Sequence, residues 1–344
     1  MGTMPDLRVF LQQTFEKSGG LMPFENFMAM ALYDPNFGYY ATAIEDVGGD
    51  RGDFATSATL SRGLGQTFAK WIQDERDHHE WDGPVSVIEV GAGNGALAAE
   101  ILRSFGWWKR RHIKYHIVEV SEPLRRKQQI ALNSFSVTWH KGIAGALEET
   151  GGKAIVFSNE LVDAFPAKWL SWSATESRWH EVFVSFDPLS GISETFRSLP
   201  RFFPEENYSA LALENPEPGQ RVEIQPIYQA WLANLAQHLD SGSLLTIDYG
   251  GSAKEIYDRR PGGSLRGYFR QERIEGPGIY QRFGKQDLTV DVNFDDLREW
   301  GEEFELENVS LESQASFLQR HGQGDDPMAG DGVGEAFRVL HQRK

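Results

Sequence analysis

The chain has no cysteine. Disulfides, thiolate zinc sites and cysteine nucleophiles are thereby excluded together, so apolar burial has to hold these 344 residues. Also absent is any run of about 18 apolar residues, and the opening MGTMPDLRVFLQQTF lacks a basic segment followed by an apolar stretch. A soluble, cytoplasmic protein without membrane insertion is the expectation. Positive charge is scarce: 34 Lys and Arg against 50 Asp and Glu leave a formal net charge of −16. That balance repels nucleic-acid phosphates unless basic residues gather on one face. The only basic clusters, WWKRRHIK at 107–114 and LRRKQQ at 124–129, suit the solvated ends of helices and strands. No nucleic-acid partner is expected, whereas an acidic excess suits a cationic substrate. His140 and His180 stand in strand-like apolar runs, neither with a metal-ligand spacing to another histidine or carboxylate, so no metal is expected.

What is present is an alternation of short apolar runs with helical patterns. The runs lie at 85–90, 113–120, 136–139, 154–158 and 244–247; helical periodicity marks 95–105, 121–132 and the stretch through Ile227, Trp231, Leu235 and Leu239. Strands buried on both faces and joined by helices predict a parallel, doubly wound α/β sheet. Before it, 5–17 and 23–32 read as short helices, 33–58 as a polar, aromatic-rich loop, and 59–73 as an amphipathic helix through Leu60, Leu64, Phe68 and Trp71. Two interruptions stand out. The first, at about 165–225, carries a hairpin-like pair, AKWLSWSA and RWHEVFVSF; the second, at about 252–292, is polar. Residues 1–58 then form an N-terminal helical cap and loop on a core spanning 59–344 with those two insertions. A helix at 294–300, a strand near 304–311, a helix at 313–320 and a last strand at 337–340 complete the chain.

The segment EVGAGNG, 89–95, lies where a strand meets a helix, the end of a parallel sheet at which ligands bind. Gly91, Gly93 and Gly95 allow a sharp turn and close backbone approach. No Lys-Ser/Thr follows, which argues against a nucleoside triphosphate. A dinucleotide is harder to exclude, because Gly91, Gly93 and Ala96 satisfy GxGxxA. Glu89 helps to separate the possibilities: a carboxylate at that strand tip suits the amino group of a methionine moiety and repels a pyrophosphate. Glu119, ending the next strand, can accept both ribose hydroxyls.

The sequence resembles the MidA-type class I S-adenosylmethionine-dependent methyltransferases, a family that includes the protein-arginine methyltransferase assisting complex I assembly. Besides EVGAGNG the resemblance rests on LYDPNFGYY (32–40), GDFATS (52–57), VEVSEPLRRKQ (118–128), SNELVDAFP (158–166), WHEVFVSFDP (179–188), IDYG (247–250), LRGYF (265–269), QDLTVDVNF (286–294) and SQASFL (313–318). It implies a Rossmann-like seven-stranded sheet and S-adenosylmethionine as cofactor. Glu89, Gly91, Gly93, Gly95 and Glu119 would surround that cofactor, with Ala92, Asn94 and Val120 beside them, and Gly52, Asp53, Phe54 and Thr56 would fold over the same site. Its substrate would be a protein arginine, with a respiratory complex I subunit as a partner. The chain departs from the family pattern at Ala58, Thr59 and Leu60, at Gln271, and at Phe283, Gly284 and Lys285. These changes fall on substrate-side segments and bear on the acceptor more than on the methyl donor.

Arginine methylation requires carboxylates that orient a guanidinium and take up a proton as the bond forms. Glu160 and Asp163 in NELVDAFP are three apart; if the segment continues as a helical turn they share a face and hold the cationic group, while Asn159 contacts the methionine end of the cofactor or the substrate. Tyr39, Tyr40, Phe54 and Phe165 are aromatic candidates for the walls of the site. Two other functions use the same features: methylation of a small molecule at nitrogen or oxygen, and a non-catalytic assembly factor built on a methyltransferase shell.

Overall fold

The computed structural model describes residues 6–44, 63–322, 326–330 and 332–344. The chain forms two compact units, one from Met1–Ile44, Ala164–Ile227 and Ser252–Asn293, the other from Glu45–Asp163, Tyr228–Gly251 and Phe294–Lys344.

The second unit holds the main sheet. Its strands are β1 (Val85–Val90), β2 (Ile113–Val118), β3 (Val137–His140), β4 (Lys153–Asn159), β5 (Ser241–Gly251), β6 (Glu307–Ser313) and β7 (Phe337–Arg343). These seven strands follow one another in the order β3-β2-β1-β4-β5-β7-β6. Pairing is parallel from β3 to β5, and β7 runs antiparallel to both β5 and β6. The order reverses between β1 and β4, which makes their carboxyl ends the switch point where such sheets open a crevice. Register brings the tips level: Val90 pairs with Val118 and Ser158, and Asn159 with Ile247.

Helix α1 (Leu64–His78) buries Leu64, Phe68, Trp71 and Ile72. It runs past the expected end at residue 73 because Glu75, a polar residue on the buried face, finds partners: Arg343 donates to both its oxygens at 2.8 Å, and Ser243 donates at 2.6 Å. Helix α2 (Ala96–Ser104) follows the glycine turn, and α3 (Glu122–Ala131) begins at Ser121, whose hydroxyl accepts from Leu124 N. A helix not anticipated, α4 (Ile143–Thr150), buries Ile143, Ala146 and Leu147, an i, i+3, i+4 set too short to stand out beside Gly142 and Gly145. Phe68, Trp71, Val87, Ile101, Ile117, Phe157, Leu245 and Val339 form one continuous core, each such side chain contributing on the order of 1.5–3 kcal/mol of transfer free energy.

In the first unit, helices Leu7–Lys17 and Phe24–Tyr33 agree with the sequence pattern. The hairpin of the first insertion is present, with Trp172 opposite Trp179, and is widened into a five-stranded sheet by Met22–Pro23, Gly191–Ser198 and Arg221–Ile224. In the second insertion Arg266–Phe269, Glu272–Ile274 and Asp287–Thr289 make a small antiparallel sheet. Gln271, one of the family departures, occupies with Arg270 a two-residue hairpin turn in which both have positive φ (50° and 67°), exposed to solvent. Gly284, another, has φ 68°, and a Cβ there would collide with the Phe37 carbonyl oxygen.

Candidate functional site

The turn after β1 is built from backbone that only glycine adopts readily. Gly91, Gly93 and Gly95 have φ of 70°, 53° and 83°. Gly91 N donates to Val118 O at 2.9 Å and Gly95 N to Ala92 O at 2.8 Å, while Asn94 Oδ1 accepts from Ala96 N at 3.0 Å and so satisfies the first N–H of α2. Ala92 is buried. A Cβ on Gly91 would lie 2.6 Å from Leu161 Cδ1, in the segment that leaves β4. Two segments remote in sequence therefore touch at the switch point.

Glu89 and Glu119, both almost fully buried, flank this turn. Tyr115 OH donates to Glu89 Oε2 at 2.6 Å. Burial pushes the Glu89 carboxyl up to about 7, Tyr115's hydrogen bond partly counteracts it, and the Glu119 charge adds to it. Glu119 accepts from Ser121 N at 2.8 Å on one oxygen and from Gln128 Nε2 at 2.9 Å on the other. Burial raises it too, against those two donors. Val120, expected beside the cofactor, has 69% of its surface exposed.

Gln128 was not anticipated. Fully buried, it donates to Gly93 O as well as to Glu119, both at 2.9 Å, and accepts from Trp139 Nε1 at 3.1 Å. One amide thus ties the glycine turn to the β2 tip. The signal was its spacing: Leu124, Gln128 and Leu132 recur every four residues, so the glutamine belongs to the buried face of a helix otherwise read as solvated and basic.

Beyond β4, Asn159 Nδ2 donates to Glu160 Oε1 at 3.1 Å, and Glu160 N donates to Ile247 O at 2.9 Å. The helical turn expected to carry Glu160 and Asp163 on one face is not formed. Glu160 sits ahead of a single 3₁₀ turn, Val162–Ala164, with φ +52°, a conformation costly for a residue with a Cβ. The reason lies on the neighbouring strand. Asp248, wholly buried in β5, uses Oδ2 to accept from the backbone N–H of Leu161, Val162 and Asp163 at 3.1, 2.8 and 3.2 Å, and Oδ1 to accept from Tyr249 N at 2.9 Å. Burial raises the Asp248 carboxyl, as do the charges of Asp163 and Glu160, while its N–H donors oppose the shift. Three carboxylates therefore gather at the tips of β4 and β5, beside Gly91.

Gly52, Asp53, Phe54 and Thr56, and the departures Ala58 to Leu60, lie outside the described residues. Tyr40 donates to Asp287 Oδ1 at 3.1 Å and stacks on Tyr33, and Tyr39 is fully buried, so both contribute to the first unit's own packing. His140 has a histidine neighbour that its spacing in sequence concealed: His116, on the adjacent strand, places Nδ1 3.0 Å from His140 Nε2, and Glu149 Oε2 lies 3.9 Å from the latter. These three groups could supply ligand atoms within 4.8 Å of one another, but a metal ion there would have to displace the imidazole–imidazole hydrogen bond.

The strand order, with a left-handed glycine turn after β1 and an acidic residue ending β2, defines a class I methyltransferase fold. The Methyltransf_28 model, which describes S-adenosyl-L-methionine-dependent methyltransferases, matches residues 64–310, and the chain belongs to that family. It is 27% identical to a protein from Burkholderia thailandensis solved with S-adenosyl-homocysteine bound, with a TM-score of 0.85 over 98% of this chain and 92% of that one. It is 26% identical to mouse mitochondrial protein arginine methyltransferase NDUFAF7, covering 89% of this chain and 72% of the mouse protein, and 28% identical to the Xenopus tropicalis protein of that name, covering 82% and 68%. The chain is an S-adenosylmethionine-dependent methyltransferase. Its site has the chemistry that cofactor requires: a turn of left-handed glycines, and buried carboxylates at the tips of neighbouring strands that suit an ammonium and a ribose diol. No helix among the described residues is long and apolar enough to cross a membrane.

Proposed function

We propose that this enzyme methylates an arginine guanidinium of a protein. Bound S-adenosylmethionine supplies an electrophilic methyl group. The chain's residues supply the rest. Glu89 takes the cofactor's ammonium group, Glu119 its ribose hydroxyls, and the turn through Gly91, Ala92, Gly93, Asn94 and Gly95 admits it, with Val120 at its edge. Glu160 and Asp163 hold the guanidinium, drawing its charge away from the reacting nitrogen, and one of them accepts the proton released as the new bond forms. Asn159, bonded to Glu160, fixes that carboxylate's orientation. The observation that carries this proposal is the gathering of Glu160, Asp163 and Asp248 beside Gly91; the arginine specificity in the names of the relatives supports it. A complex I subunit is the first acceptor to test, and a chain without cysteine is compatible with a cytoplasmic setting.

Incubation with methyl-labelled donor and candidate protein acceptors, followed by peptide mass spectrometry, tests it. Methylarginine is the expected product, and Glu160→Gln and Asp163→Asn should lower turnover by about 100-fold or more, the scale of a lost acid–base group, with cofactor affinity retained. A labelled metabolite instead of a peptide would replace the protein acceptor with a small molecule. Full turnover in both variants would remove the two carboxylates from the mechanism.

A further inference from the structure

We infer that Asp248 is the positioning residue of the transfer site: its carboxylate pins the backbone that presents Glu160 and Asp163 and, through Leu161, sets that backbone against the cofactor turn. The inference rests on the reading of Glu160 and Asp163 as the substrate-side pair.

The geometry supports it from three sides. Asp248 is wholly buried, so it acts through other residues rather than on substrate. A single oxygen collects the N–H groups of three consecutive residues, Leu161 to Asp163, at 2.8–3.2 Å. These are the first donors of a short turn, the groups with no partner within the turn itself. Glu160, immediately before them, is held at φ +52° by this anchor on one side and by Glu160 N donating to Ile247 O on the other. A non-glycine residue keeps such a conformation only where its surroundings over-determine it. Leu161, the first residue of the anchored run, places its Cδ1 2.6 Å from where a Cβ on Gly91 would be. Motion of the acidic turn would therefore move the wall of the cofactor turn as well. A neutral residue of the same shape cannot reproduce the anchor. In Asp248→Asn the amide oxygen could turn toward the three N–H groups, but the amide nitrogen would then face Tyr249 N, which now donates to Oδ1. Alanine would remove every acceptor.

Sinefungin and S-adenosyl-homocysteine test this without a known acceptor. Sinefungin carries an amine-bearing carbon in place of the methylsulfonium, so the ratio of the two dissociation constants, measured by calorimetry, reports how well a carboxylate faces the transfer point. Glu160→Gln and Asp163→Asn should reduce the preference for sinefungin about tenfold, the scale of one lost charge-assisted bond. Asp248→Ala should do the same while S-adenosyl-homocysteine affinity stays within about threefold, and Asp248→Asn should fall between. Hydrogen exchange of the peptide 158–166 monitors the anchor itself: protection at 161–163 should be lost in Asp248→Ala and weakened in Asp248→Asn. A general loss of structure would lower both affinities together and leave the ratio unchanged, which would overturn the inference. If the ratio drops in the Glu160 and Asp163 variants but not with Asp248 replaced and protection lost, Asp248 is not a positioning residue, although the acidic pair stands. If no variant changes the ratio, the acidic pair itself is wrongly assigned, and the inference falls with it. Should Asp248→Ala fail to fold, Asp248→Asn decides by the same two measurements.

Discussion

Replacing Gly91 with alanine isolates the physical requirement on which cofactor binding depends. Two costs arise. At φ +70° an added Cβ meets the preceding backbone, about 1–2 kcal/mol for a left-handed L-residue. That Cβ would also stand 2.6 Å from Leu161 Cδ1, well inside the ~3.5–4.0 Å of favourable carbon contact, so the leucine has to move, adding about 1 kcal/mol. The sum, about 2–3 kcal/mol, is divided between stability and affinity. If surrounding contacts hold the turn in place, the unfolding free energy falls; if the turn relaxes, the energy needed to restore it appears as weaker binding, up to about 30- to 150-fold. Calorimetric titration with S-adenosylmethionine and denaturant unfolding of the same preparation give the two parts. Gly95→Ala is the control: φ is 83°, but the nearest atom to its Cβ is Gln128 Cα at 3.4 Å, an ordinary contact, so only the backbone cost of about 1–2 kcal/mol applies. Adding Leu161→Ala to Gly91→Ala should return the steric share. If Gly91→Ala changes affinity by less than about twofold and stability by less than ~0.5 kcal/mol, the turn is not held as described, and its glycines have no steric role.

The other perturbations concern buried charge. Glu89, pushed up to about 7 from an ordinary carboxyl value, favours the folded apo state fully at acid pH, and this contribution is lost as pH rises through about 7. Glu89→Gln should therefore raise the thermal midpoint of the apo enzyme at pH 8 more than at pH 5, while weakening S-adenosylmethionine binding; equal midpoints at both pH values would contradict the burial cost assigned to this carboxyl. Glu75 has the opposite sign. Burial works against its charge, but hydrogen bonds from Arg343, His341 and Ser243 outweigh it and hold its carboxyl well below the usual range, so its stabilisation is complete above the unfolded carboxyl pKa and disappears only as pH falls into strong acid. Glu75→Gln should cost about 2–3 kcal/mol at pH 7, less than a fully buried pair because the Arg343 side chain keeps 23% of its surface exposed, with no effect on cofactor affinity. A urea midpoint unchanged from wild type would remove this network from the stability of the sheet.

Much of the core unit was legible one segment at a time. VSVIEV, IKYHIVEV and AIVFS announce buried parallel strands because their side chains are mostly apolar on both faces, and EVGAGNG announces a backbone that needs positive φ. Helix α4 was missed because two glycines hid a short apolar set that gains its stability from packing. The shape of the acidic turn was misjudged for a related reason. A three-residue spacing suggests a shared helical face, yet Glu160 takes a left-handed conformation because an aspartate 88 positions later fills the partner role that a helix would have filled internally.

Local pattern therefore determined which segments form the strands of the main sheet, where the backbone must turn sharply, and which residues are chemically able to meet a sulfonium nucleoside, since each of these depends on neighbours a few positions apart. Only the tertiary structure decided which strand tips stand side by side. The reversal of strand order between β1 and β4 puts Leu161 on Gly91, and the pairing of β4 with β5 puts Asp248 beneath the turn. Tyr115 on Glu89 and Gln128 between Gly93 and Glu119 follow from the same packing. Hydrogen bonds between residues tens of positions apart leave no periodic trace in a sequence, because the entropy of closing those loops is repaid only when the whole sheet assembles.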